Sequence, residues 1–486
     1  MLNKILQQVE NVNDAGTYKA SWDSLENHPI PTWYQQGKFG IFIHWGVYAV
    51  PAFASEWYSR NMYIEGTPEF DYHKQHFGDH QTFGYKDFIP MFTAEQFHPN
   101  DWAKLFKASG AQFVMPVAEH HDGFQMYDSA LSRWNAAQMG PKRDIIAELE
   151  QHVRAEGLQF ALSSHRAEHY YFMGEGRRFP SDVTEQLDFY GPAQLRSSYD
   201  DYLDCAPDEA FLQDWLARTC ELIDKYRPQI LYFDTWIMNL AFKPYLKKLA
   251  AYYYNRAEEW QMEVTINYKQ DAMPVTTGVL DIECGQVNDM RAIFWQKDTN
   301  ISTSSWGYIE NQQFHSALDL LRDMIDVVSK NGAYLLNIGP KADGTIPQGE
   351  VDVLLEMGSW LETYGEAIYE TTPFIVCGEG PSVRSGMNVI DYTPIDFTAE
   401  ELRFTMKDNI LYVFCLSLPA DGQVFVRSLN QANVATFLGV IELECLLSCD
   451  EAVAHRFLED GLLLEVPRTA IRPGDIAIFK LKIVGS

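Results

Sequence analysis

A chain of 486 residues is long enough for a full barrel and a smaller second domain, and its composition is that of a soluble globular protein. Its 67 acidic against 38 basic side chains leave a formal charge of −29, which argues against nucleic acid or an anionic membrane as partner. No membrane-spanning run is present, and the first ten residues lack the apolar stretch and cleavage site of a secretory signal. The chain therefore reads as cytoplasmic, or as a secreted or periplasmic protein written without its signal peptide.

Residues 1–30 are polar and read as a lead-in. A strand over 39–43 then delivers His44 and Trp45 to a glycine-loosened loop, and a long loop follows that holds Glu56, Trp57 and Tyr58 and much of 60–90. Loops of that length in a compact domain tend to be functional. A helix over 101–109 leads to a strand over 113–117, which ends in Glu119-His120-His121-Asp122-Gly123.

The alternation continues with a helix over 144–156, stopped at Gly157, and a strand over 159–162 that opens into Ser163-Ser164-His165-Arg166-Ala167-Glu168-His169. A helix over 207–226 feeds the strand Ile230-Leu-Tyr-Phe233, and Asp234 stands at its end. A run of four such residues suits a parallel strand buried on both faces. In a barrel of such strands the chemistry sits where the strands end. Taken alone, Asp234 is explained equally well as a turn or helix-capping residue.

A helix over 244–259 precedes a strand over 264–267, and a short strand over 279–282 ends at Glu283. The dozen residues between those strands are too few for a crossover helix, so the barrel is irregular there. Helical spacing over 314–330, a strand over 334–338 and a helix over 348–364 complete the series. After Pro373 the texture becomes strand-like pieces between turn residues. The chain therefore reads as α/β: an irregular (β/α)8-like barrel over 1–372, followed by an antiparallel β-sandwich over 373–486. Seven cysteines, an odd number, show no zinc-ligand spacing. The closest pair, Cys445 and Cys449, falls in an apolar strand-like stretch, and buried reduced thiols are expected.

His44, Glu56, His120, His121, His165, Asp234 and Glu283 should converge on one mouth. Two chemistries fit them. Glycoside hydrolysis needs one ionised carboxylate and one protonated, supplied by Asp234 and Glu283 from nearby strands. Histidines can bond sugar hydroxyls, and Trp45, Trp57, Trp236 and Trp306 offer flat apolar surface. Metal-assisted hydrolysis also uses His and Asp. Against it, position 46 is glycine where a second ligand would fall, and adjacent histidines on an extended backbone face opposite ways. A third reading is a catalytically inactive sugar-binding protein.

Seven motifs, in order, carry a resemblance: Gly37-Lys-Phe-Gly-Ile-Phe-Ile-His-Trp-Gly46, Glu56-Trp-Tyr58, Ala118-Glu-His-His-Asp-Gly-Phe124, Pro141-Lys-Arg-Asp144, Ile230-Leu-Tyr-Phe-Asp234, Ser305-Trp-Gly-Tyr308 and Val328-Ser-Lys-Asn-Gly-Ala-Tyr-Leu-Leu-Asn-Ile-Gly-Pro340. Together they resemble the α-L-fucosidases of glycoside hydrolase family 29. The resemblance implies a retaining exo-enzyme acting on fucosylated oligosaccharides or glycans through a covalent fucosyl intermediate, without metal or cofactor; a homo-oligomer is compatible with it. It implies Asp234 as nucleophile and Glu283 as acid/base, with Glu56, Glu168 and Asp298 as alternatives for the second role. His44, Glu56, Trp57, His120, His121, His165, Tyr232, Lys269 and Trp306 are the implied substrate-binding residues. An aromatic wall at Trp306 would suit the methyl group of fucose. L-Galactose, which differs only by a hydroxyl there, should lose about 1–3 kcal/mol.

The chain departs from the family at three points. Cys284 follows Glu283 where a basic residue is common. Lys269 stands where many relatives carry arginine, keeping the charge without the planar fork. The loop 163–169 is unusually rich in histidine and charge, and His165 is expected either to touch substrate or to brace Glu168.

Overall fold

The computed structural model describes residues 1–179, 181, 189–195, 206–383, 390–391, 395, 397–433, 440–446, 453–467 and 472–484. Eight parallel strands close a barrel in the order β1 (Phe39–Ile43), β2 (Phe113–Glu119), β3 (Gln159–Ser164), β4 (Ile230–Phe233), β5 (Thr265–Lys269), β6 (Val279–Asp281), β8 (Trp295–Asn300) and β9 (Gly332–Ile338), which returns to β1. A two-residue strand, β7 (Gln286–Val287), lies outside it. β1, β2, β4, β5 and β9 are buried along their whole length, as strands covered on both faces must be. Gly40 in β1 is required: a Cβ there would stand 2.3 Å from the Phe113 ring of β2.

The helices are bounded by the expected chemistry. Asp208 caps the helix Glu209–Tyr226 by accepting from the Phe211 N–H, and Asp144 caps Ile145–Ala155 through Ala147. No helix separates β5, β6 and β8, so the barrel is irregular where the sequence placed the irregularity.

Three elements differ from the sequence reading. The polar lead-in contains a helix, Leu2–Ala15, which buries Val9 and ties Gln8 to Asp224 and the Tyr252 hydroxyl at 2.8 and 2.9 Å. The long loop after His44 holds the short helices Tyr58–Asn61 and Pro68–His76 and a 3₁₀ segment, Tyr85–Met91. The strand β8, Trp-Gln-Lys-Asp-Thr-Asn, has no apolar run to reveal it. Its polar side chains are satisfied inside the fold, where Gln296 accepts from Tyr34 and donates to Asp281, while Lys297 pairs with Asp323.

Beyond the barrel, one sheet runs β10 (Thr372–Glu379), β12 (Leu402–Lys407), β13 (Ile410–Cys415), β18 (Ala477–Val484) and β15 (Val440–Leu446). A second runs β14 (Gln423–Val426), β17 (Gly461–Glu465) and β16 (Ala454–Leu458). Phe404, Val413 and Phe479 from the first meet Val424, Leu462 and Leu464 from the second in one apolar core, which is the packing of a sandwich. A separate two-residue strand, β11 (Ile390–Asp391), pairs antiparallel with β7. Free thiols are buried at Cys220, Cys377 and Cys415, whereas Cys284 is exposed, against expectation. Cys449 lies outside the described residues.

The sandwich is bolted to the barrel helix Ala317–Ser329 by a buried ion network. Asp326 pairs with Arg403 at 2.6 Å and Lys330 at 2.7 Å, and Arg403 also pairs with Glu401 at 2.9 Å. Arg403→Ala would leave Asp326 and Glu401 short of a partner in the interior, an expected loss of about 3–5 kcal/mol read as a lower melting temperature. Burial pushes the Asp326 carboxyl up, but Lys330 and Arg403 outweigh it and hold the group below its usual range. Its contribution is therefore full above the unfolded value of about 3.9 and fades in acid, so the gap between wild type and variant should narrow as pH falls.

Candidate active site

One cavity of about 200 Å³ opens at the carboxyl end of the barrel strands. His44 follows β1, His120 and His121 follow β2, His165 follows β3, Asp234 follows β4, Lys269 ends β5, and Glu283 lies two residues beyond β6. All of them line this cavity, together with Glu56, Trp57, Tyr232 and Trp306. Of the residues the sequence offered for the site, all but Trp45 are therefore brought to one place.

Asp234 sits at the N-cap position of the 3₁₀ segment Thr235–Met238, yet its side chain makes no capping bond. It turns instead to the cavity. One oxygen accepts from the Thr235 hydroxyl at 3.0 Å and meets the Lys269 ammonium at 3.1 Å; the other faces His165 Nδ1 at 3.2 Å and His121 Nε2 at 3.5 Å. Burial alone would raise this carboxyl, but Lys269 and the two histidines reverse that and hold it well below the usual aspartate range. It is ionised.

Lys269 also meets Glu283 at 2.6 Å and Asp298 at 3.6 Å. The bonded oxygens of Asp234 and Glu283 touch one ammonium, so they stand no more than about 6 Å apart, a bound that admits the roughly 5–5.5 Å spacing of a retaining pair. The environments of the two acids differ. Lys269 draws the Glu283 carboxyl down, but partial burial and the charges of Asp298 and Asp234 outweigh it, and the net shift is upward. Its side chain remains 42% exposed against 16% for Asp234. One carboxyl of the pair is thus held charged and the other is biased toward its proton.

Burial favours the neutral form of His44, His120 and His121, which leaves them as hydrogen-bond donors and acceptors. Asn337 donates its amide N–H bonds to Asn300 Oδ1 and the Trp306 carbonyl, so its oxygen accepts from His44 Nδ1 at 2.7 Å. His44 therefore carries its proton on Nδ1 and presents a bare Nε2. Burial lowers His44 and His120 far below the ordinary histidine value, and His121 as well, although Asp234 opposes the shift there. His165 bonds Ser163 Oγ at 2.6 Å and Asp234; Glu168 instead accepts from the Trp236 N–H at 3.3 Å.

Two expectations change. His120 and His121 do not face opposite ways: the backbone leaves the strand after Glu119, and the two rings stack 4.1 Å apart on the same cavity. The end of that strand is anchored by Glu119, which pairs with Arg218 at 2.9 Å and Arg166 at 3.5 Å. Asp122 fixes the following turn through the Phe124 N–H and the Tyr85 hydroxyl, with burial pushing its carboxyl up to about 7. Trp45 does not face the cavity. It packs among Phe92, Phe97 and Trp102, and its indole N–H donates to the Lys341 carbonyl.

Glu56 accepts from Ser305 and the Trp306 N–H at 3.2 and 3.1 Å. The Trp306 ring stands 5.2 Å from His44, and Trp57 stands 4.6 Å from His121. Tyr232 donates to Asp298 at 3.0 Å. Sequence reasoning gave no role to Asn337 or Thr235; the mid-strand asparagine in an apolar run was the one signal available for the first. For a cation, the ligand atoms of His44, His120 and His165 lie within 4.8 Å of one another, as do those of His121, His165 and Asp234.

A closed parallel barrel whose mouth holds a charged and a protonatable carboxyl on one ammonium, ringed by imidazole and indole, defines a glycoside hydrolase. A family profile described as alpha-L-fucosidase matches residues 5–366. Plasma alpha-L-fucosidase of Homo sapiens is 30% identical over 472 residues, covering 94% of this chain and 90% of that protein. Tissue alpha-L-fucosidase of Rattus norvegicus is 30% identical over 432 residues, covering 87% and 84%. The crystal structure of Thermotoga maritima alpha-fucosidase in complex with fucose superposes with a TM-score of 0.75 at 30% identity, over 95% of this chain and all of that one. The chain belongs to the α-L-fucosidase family. Among the described residues, no helix is long and apolar enough to cross a membrane.

Proposed function

We infer that the protein is a retaining exo-α-L-fucosidase that removes a terminal α-L-fucosyl residue from a glycan or oligosaccharide. The observation that carries this reading is the placement of Asp234 and Glu283 on the single Lys269 ammonium. Asp234 attacks the anomeric carbon and forms a β-linked ester while Glu283 protonates the departing oxygen. Glu283 then takes a proton from water, which attacks the same carbon and releases Asp234. Two inversions give net retention. The imidazoles, led by His44 Nε2, bond the sugar hydroxyls, and Trp306 walls the methyl group. The division into a catalytic barrel over 1–372 and a sandwich over 373–486 belongs to the same reading.

The test is hydrolysis of 4-nitrophenyl α-L-fucoside followed by NMR, with α-L-fucose expected as the first product. β-L-Fucose appearing first would overturn retention, and binding without turnover would favour the inactive sugar-binding reading. Because two histidine groups have the spacing to hold a cation, the same assay is run after EDTA treatment. Unchanged activity is expected; loss that zinc restores would favour metal-assisted hydrolysis.

A further inference from the structure

A second cavity, of about 440 Å³, adjoins the sugar pocket and shares Thr235, Lys269 and Glu283 with it. Its other walls include Leu280, Ile282, Cys284 and Ile390. Cys284 adopts a left-handed backbone conformation, φ 49°, and its N–H donates to the Asp298 carbonyl at 2.9 Å. Ile390 comes from the far side of the chain. The strand β11 pairs Ile390 with Val287 and Asp391 with Gln286, tying the segment after β10 to the one just after Glu283. Ile390 is 38% exposed and joins Leu280, Ile282 and Cys284 on the cavity's apolar side.

The leaving oxygen must come within hydrogen-bond reach of the acid. Whatever that oxygen carries then continues past Glu283, away from the fucosyl pocket, and the second cavity begins at that residue. Leu280, Ile282, Cys284 and Ile390 give it an apolar side, and Thr235 and Gln270 add uncharged polar groups. Asp281 and Glu283 add carboxyls that would repel an anion, and Lys269, the cation it borders, is already engaged by three carboxylates. A net charge of −29 further disfavours sulfated or phosphorylated groups. We propose that this cavity receives the leaving group of the fucoside, that its ligand is an uncharged saccharide residue with an apolar face, and that Ile390 of the C-terminal region is a specificity-determining residue for it. This rests on the fucosidase reading above.

Ile390→Trp narrows the cavity and Ile390→Asp charges its wall; both changes are at an exposed position and should leave the fold unaltered. The kcat/KM of each is compared with wild type on α-L-fucosyl fluoride, which has no bulky leaving group, and on a neutral fucosyl disaccharide. A fall of about tenfold or more on the disaccharide, with the fluoride within about twofold, is the expected result. Equal loss on both substrates, or no loss on the disaccharide, would overturn the assignment. If wild-type protein leaves the fluoride intact, the fucosidase reading itself fails, and this inference with it.

Discussion

Replacing Asp234 with alanine is expected to lower kcat on an aryl α-L-fucoside by a factor on the order of 10⁴ or more, with little change in melting temperature. The carboxylate is held charged, partly buried, free of any capping duty, and aimed by Thr235, His165 and Lys269, so its removal deletes the proposed nucleophile and little else. Lys269 keeps Glu283 and Asp298 as partners in the variant, which is why the fold should hold. In Asp234→Gly, added azide can occupy the space and attack the substrate directly. A single inversion then yields β-L-fucosyl azide. Near-wild-type kcat in the alanine variant would remove Asp234 from its role.

Glu283→Ala should cost about 10²–10⁴-fold on substrates with poor leaving groups and much less on activated aryl fucosides, whose departure needs no proton. Azide attacks the accumulated ester without help from a base. Its product should be α-L-fucosyl azide, since two inversions restore the starting configuration. The pH profile gives an independent check. An acid must hold its proton, so wild-type activity should fall as pH rises through the upward-shifted Glu283 value, and the variant should lose that alkaline limb. Rescue by azide at Glu56, Glu168 or Asp298, with none at Glu283, would move the assignment to the rescued residue.

Much of the site was legible because a parallel strand announces itself as an apolar run and its carboxyl end is where polar residues collect. Asp234 after Ile230–Phe233 is the plainest instance. Legibility failed where the fold satisfies polar groups internally. Strand β8 hides because Gln296 and Asp298 find partners inside the barrel and Lys297 finds Asp323 on the helix Ala317–Ser329, contacts that only the tertiary fold creates. The His120–His121 pair misleads for a related reason: alternation of side chains holds along a strand, and the chain leaves the strand one residue earlier. Trp45 and Trp306 are equally aromatic in sequence; packing alone sends one to the interior and the other to the cavity.

The shared lysine makes the two half-reactions electrically unequal. In the proposed reaction, once Asp234 has become an ester, the ammonium loses one of its anionic neighbours and Glu283 loses the negative field that favoured its proton. Glu283 then becomes the stronger acid, a group readier to stay deprotonated until water supplies the next proton. The timing of proton donation and proton removal is thereby tied to whether the sugar is attached, with Lys269 as the reporter of that state.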